Sequence, residues 1–193
     1  MKRIYLLFCI IILMSCQSNF EDSDLHLYKC INEKLNEHRD LYKEEKNIDF
    51  KLIMNDFENS LLENELLKGN TKKSYINLIT EINSNQIKRK KLIHECELFS
   101  GKLHSLKISS NDFIINTSIL KSCPNELYTL EKYDFIENQI LIYNHFESGK
   151  LYNLKDFNNY LNSLTNKEFE FYKPIIEYLI YWIILHQENI DSV

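Results

Sequence analysis

Six histidines and five cysteines are the side chains of this 193-residue chain best suited to holding a metal or attacking a substrate, and their spacing restricts both. Only His94-Glu95-Cys96, followed by His104, brings metal-binding residue types close together. A zinc site needs three or four ligands converging on one point. On a helix, residues 94 and 96 project about 200° apart, so such a set closes only if the stretch is a strand. The HExxH, CxxC and CxxCH patterns are absent. No GxSxG turn presents a nucleophile, and three isolated glycines do not form a phosphate-cradling loop. Carboxylates are plentiful, but any two could meet in a fold, and spacing alone does not select a pair in which one keeps its proton. The expectation is no metal, no cofactor and no assigned catalytic residue, with binding favoured over catalysis. A small hydrolase or sugar-binding enzyme is the alternative.

Charge narrows the partners. The chain carries 28 acidic against 23 basic residues, a net charge of −5, which argues against nucleic acid or anionic lipid as partners. Lys88-Arg89-Lys90-Lys91 is the only dense basic run; it reads first as a solvated helix face, and second as a contact for lipid phosphates. Aromatic residues concentrate near the C-terminus, with 11 of the 24 between Tyr143 and Trp182. Most must fill a core that has no alanine and only Val193 as valine. Tyrosine also suits interfaces, since its ring is apolar and its hydroxyl seeks a partner. Tyr152, Tyr160 and Tyr172, beside expected caps and loops, are the candidates for an exposed face that binds a protein partner.

The N-terminus supplies an address. Lys2 and Arg3 precede an apolar run over residues 4–14, and Leu13-Met14-Ser15-Cys16 follows as a small-residue cleavage site. Eleven residues are too few to cross a hydrocarbon core that requires roughly 20. The LMSC quartet resembles the lipobox of bacterial lipoproteins, in which the cysteine accepts a diacylglycerol and becomes the new first residue. The resemblance implies a signal peptide over 1–15, a lipid on Cys16 and a polar tether over 16–24. It further implies a membrane-anchored envelope protein. Gln17 stands where the enterobacterial sorting pattern would place an aspartate to retain the protein in the inner membrane, so the outer membrane is favoured. Glu21, Asp22 and Asp24 loosely resemble acidic tags for surface export; periplasmic side and cell surface both stay open. No family resemblance extends into the body.

The elements that must position these groups follow from periodicity. Residues 25–193 read as a single all-α domain, an irregular multi-helix bundle on its lipid tether, with an α+β arrangement holding a small sheet in 92–120 as the alternative. Apolar residues at three- and four-residue steps predict a first helix of about 20 residues from Leu25. A second follows, capped by Asn47 and closed by Gly69, and a third is capped by Thr71 with Tyr75, Leu78 and Ile82 inward. Residues 86–99 are taken as helix and 100–111 as loop. Helices are expected over 112–122 and from Pro124 to Phe146, and Asn153 is placed to cap a short one. Thr165-Asn166-Lys167-Glu168 fits a capping box for a last helix reaching about His186. Its segment 174–185 is apolar all round except for Glu177, which suits the centre of a bundle, with an interfacial helix dipping into the membrane as the alternative. Cys30, Cys96 and Cys123 allow one disulfide and a free thiol, in three pairings, or three buried thiols.

Overall fold

The computed structural model describes residues 26–37, 47–108, 119, 122–123 and 154–191, with side chains up to Leu185. Cys16 with its tether and Tyr152 lie outside these residues, as do Asn153, the helix expected over 124–146 and most of that over 112–122. Six helices and no strand occur among the described residues: α1 over 26–37, α2 Phe50–Glu63, α3 Lys72–Ser84, α4 Gln86–Ser105, α5 Leu154–Ser163 and α6 Asn166–Asp191. The fold is an all-α bundle. The alternative sheet is excluded over residues 92–105, where α4 is continuous.

Helix α6 is the axis along which α2 and α4 lie, with α3 touching it while also supporting α4 and α5. Every residue from Pro174 to Ile184 is buried. Tyr181 meets Phe57 of α2 at 6.2 Å and Phe99 of α4 at 5.1 Å between ring centroids, both edge-on. Phe57 and Phe99 touch at 4.7 Å. With no alanine and one valine available, large rings fill the spaces between helices, and edge-to-face contacts add to what their burial contributes. No helix among the described residues is long and apolar enough to cross a membrane.

Side chains set the helix ends. The predicted capping box is present: the Thr165 amide donates to Glu168 Oε2 at 2.6 Å, and the Glu168 amide donates to Thr165 Oγ1 at 3.2 Å. Helix α6 runs on past His186 to Asp191. The cap of α2 is Asp49 rather than Asn47, its carboxylate accepting from the Lys51 amide at 2.8 Å. Ahead of it, Asn36 of α1 pairs with both the amide and the carbonyl of Ile48, at 2.9 Å each. Thr71 occupies the N-cap position of α3 without a side-chain cap bond, and Tyr75, Leu78 and Ile82 face inward as expected.

Glycine does not end these helices. Helix α2 closes at Asn64 with Glu65 left-handed at φ 58°, the Leu66 amide reaching back to Leu61 O at 2.9 Å and the Glu65 amide to Leu62 O at 3.1 Å. This is a Schellman closure, sealed by burial of both Leu61 and Leu66. Lys107, at φ 56°, ends α4 the same way, with the Ile108 amide bonded to Leu103 O at 2.9 Å. Gly69 therefore lies beyond the end of α2. The loop expected from residue 100 starts only after Ser105, because Gly101 sits inside α4.

Cys30 of α1 and Cys123 form a disulfide with Cα atoms 5.8 Å apart, 93 residues distant in sequence. Cys96 is a buried free thiol. Burial pushes it well above the ordinary thiol range, with the Glu95 and Glu97 carboxylates adding to the effect, so it is protonated and inert.

Candidate functional site

The site that emerges was not assigned from the sequence. Glu58 of α2, Tyr75 of α3 and Lys173 and Glu177 of α6 converge where these helices meet. Glu58 and Glu177 are 3% and 1% exposed. Their positions follow from helical spacing: Glu58 adjoins Phe57 and Leu61 on the inward stripe of α2, and Glu177 sits within the all-buried segment of α6. The Tyr75 hydroxyl lies 2.7 Å from Glu58 Oε1 and 2.6 Å from Glu177 Oε1. Lys173 Nζ donates to Glu58 Oε2 at 3.0 Å.

Counting protons bears on the charge state. A phenol has one proton and can donate to one oxygen, yet two carboxyl oxygens lie within hydrogen-bond distance of it. A protonated carboxyl satisfies both contacts, donating to the tyrosine oxygen while the phenol donates to the other carboxyl. Burial raises Glu177 and so places the proton there, while Glu58 Oε2 accepts from Lys173 Nζ. Burial pushes Glu177 up to about 8, opposed by the hydrogen bond with Tyr75 and by Lys173 and reinforced by the charges of Glu58 and Glu170. Tyr75 is raised far above the usual phenol range by burial and by the two carboxyls, Glu177 before Glu58. The chain of bonds runs from Glu177 to Tyr75 to Glu58 and ends at Lys173.

Above this network is a cleft of about 320 Å³, partly open to solvent, lined by Lys51, Leu52, Asn55, Glu58, Glu170, Lys173, Pro174 and Glu177. Its floor is the carboxyl pair, and its rim is mixed in character. Lys51 stacks on the Tyr28 ring with Nζ 4.3 Å from the centroid, while Leu52 is 65% exposed. A cleft of this kind can take a polar or amphipathic group, with Glu177 contributing a neutral carboxyl and Lys173 a charge already engaged.

The residues singled out from the sequence lie elsewhere. Tyr160 and Tyr172 are 7% and 1% exposed, so neither lies on an exposed face. Tyr160 packs on Phe157 of α5, and Tyr172 meets Phe171 edge-on within α6; three-residue spacing from Phe157 and Phe169 turns both inward. His94 is exposed and faces Glu97, whereas Cys96 is buried on the opposite side of α4. Among the described residues, no three of His, Cys, Asp and Glu could hold a metal ion. The one available sign of the network was Glu177, a lone carboxyl in an apolar helix that had to find a partner. Searches against protein-family models, curated proteins and solved structures found no match to the chain.

Proposed function

We propose that the mature chain is a lipid-anchored envelope protein, held through Cys16, whose helical body binds another protein and does not turn over a substrate. The observation that carries the binding half is the engagement of the carboxyl pair. Glu58 is committed to Tyr75 and Lys173, and Glu177 to Tyr75, so the proton and the charge needed for acid–base work are already used within the core. What is offered outward is the rim of the cleft, with Lys51, Leu52, Asn55 and Glu170, a combination of one apolar anchor and both charges that suits a polypeptide. The anchor half is supported by the LMSC sequence at residues 13–16.

A hydrolase remains the second reading, favoured by one feature: two carboxyls at a cleft floor, bridged by one hydroxyl and thus no more than about 5 Å apart, one of them protonated at neutral pH, as in retaining glycosidases. Two measurements test the proposal. Mass spectrometry of the N-terminal peptide should find diacylated Cys16, and Cys16→Ser should release the body from membranes; an unmodified cysteine, or a variant still in the membrane fraction, overturns the anchor. Photo-crosslinking from Leu52 in intact cells should yield one discrete protein adduct that reforms with the purified partner; absence of any adduct, with glycoside or ester turnover that Glu177→Gln abolishes, overturns binding.

A further inference from the structure

Leu52, Ile87 and Leu98 are the large hydrophobic side chains left exposed among the described residues, and two of them share one helix face. Ile87 and Leu98 are 73% and 57% exposed on α4, and eleven residues at about 100° each return to nearly the same direction. Between them on that outward face stand Lys90, Lys91 and His94, all exposed. Leu92, Cys96, Phe99 and Leu103 occupy the opposite, buried side. The helix carries five basic residues against two acidic ones, in a chain of net charge −5. Glu95 is buried, while Glu97 lies at the edge of the outward face near His94. Lys88 is drawn towards Glu81, whose carboxyl it lowers by hydrogen bonding, and Lys102 pairs with Asp56. Lys90 and Lys91 thus supply the outward charge.

We infer that this face of α4 rests on an anionic phospholipid surface, with Ile87 and Leu98 entering the headgroup layer and Lys90 and Lys91 pairing with phosphates. The inference rests on the lipid-anchored reading of the chain. Apolar residues flanking lysines on one helix face are the pattern of an interfacial contact. Two lysines give about a thirtyfold preference for an anionic over a neutral surface. Such a contact would be weak for a free protein, but an anchor keeps the body within reach and makes a weak contact populated. The acidic remainder of the chain is repelled by the same surface, which fixes which side of the body faces outward.

The test uses the full chain as it is purified from membranes, mixed with vesicles of phosphatidylcholine alone or with phosphatidylglycerol. Lysine acetylation is read residue by residue. Flotation with neutral vesicles reports the lipid anchor, while protection of Lys90 and Lys91 reports the face. The expected result is protection of both lysines on anionic vesicles, at least about fivefold relative to neutral ones, with Lys73 and Lys155 labelled equally on both. Leu98→Asp, at an exposed position that does not disturb the core, should remove most of that protection. Equal labelling of Lys90 and Lys91 on the two vesicle types, whether or not the chain floats, overturns the inference, as does protection that Leu98→Asp leaves intact. Protection on anionic vesicles by a chain that fails to float with neutral ones supports the face and overturns the anchor.

Discussion

The hydroxyl of Tyr75 stands 2.6 Å from Oε1 of Glu177, across 102 residues of sequence, where burial in an apolar helix pushes that carboxyl up to about 8. A buried carboxylate without a cation is costly, whereas the neutral acid is a hydrogen-bond donor that the phenol oxygen can accept. The consequences are measurable.

The first is the pH dependence of stability. The folded state holds the Glu177 proton up to about pH 8, while the unfolded chain releases it near the ordinary glutamate value of about 4.3. The folded state therefore binds more protons between these values, and its stability falls as pH rises across that window. Full benefit is present below the unfolded value, and it is gone above the folded one. Glu177→Gln keeps a donor towards Tyr75 and has no proton to lose. Denaturant titrations should show the variant close to the native chain at pH 4 to 5 and more stable by a few kcal/mol, roughly 1.4 for each pH unit removed, at pH 9. Parallel pH profiles for the two proteins would contradict the protonated state.

Removing the network's other members should be costly in a different order. Tyr75→Phe deletes the bridge and leaves both carboxyls short of a partner, a loss of about 1–3 kcal/mol. Lys173→Met removes the ammonium paired with the buried Glu58 carboxyl, a loss of about 3–5 kcal/mol. Chemical denaturation at pH 6 ranks the two; a Lys173→Met protein as stable as the native one would show that Glu58 does not depend on this pair.

Much of the scaffold was legible before its coordinates. Twelve residues with one polar exception, Pro174 to Leu185, read first as a buried helix, with an interfacial helix as the alternative, and Thr165 with Glu168 announced its start. The helix ends were less so. A glycine after an apolar stripe is the usual stop signal, which drew attention to Gly69, whereas a Schellman closure on Glu65 is set by burial of Leu66 against Leu61 and has no sequence mark of its own. Tyr160 and Tyr172 were misplaced because aromatic abundance was weighed above their spacing from Phe157 and Phe169. Glu177 stood out, but Glu58 and Tyr75 could not be joined to it, since their meeting is made by helix packing across more than 100 residues.

Two backbone positions offer stabilising changes. Gly101 is exposed within α4, and a Cβ added there meets nothing within 4 Å, so Gly101→Ala should add about 1 kcal/mol by removing unfolded-state freedom. Glu65→Gly relieves a left-handed residue and should add a similar amount, about 1 kcal/mol. Thermal melts of the single and double variants check both, and additivity is expected because the sites share no partner.

The Cys30–Cys123 link closes a span of 93 residues. Replacing both cysteines by serine should cost about 4 kcal/mol through the regained freedom of the unfolded chain, measured by urea denaturation. Treating the native protein with reductant should reproduce the loss, while Cys96, buried and protonated, stays unreactive to thiol reagents until unfolding.

The most direct measurement of the functional account is the paired behaviour of Leu52 and Glu177 in the intact cell. A photo-crosslinker at Leu52, on the cleft rim, should capture one protein, and the adduct should persist in Glu177→Gln because the buried proton serves the fold and not a substrate. Loss of a hydrolytic activity in Glu177→Gln, with no protein captured from Leu52, would contradict it.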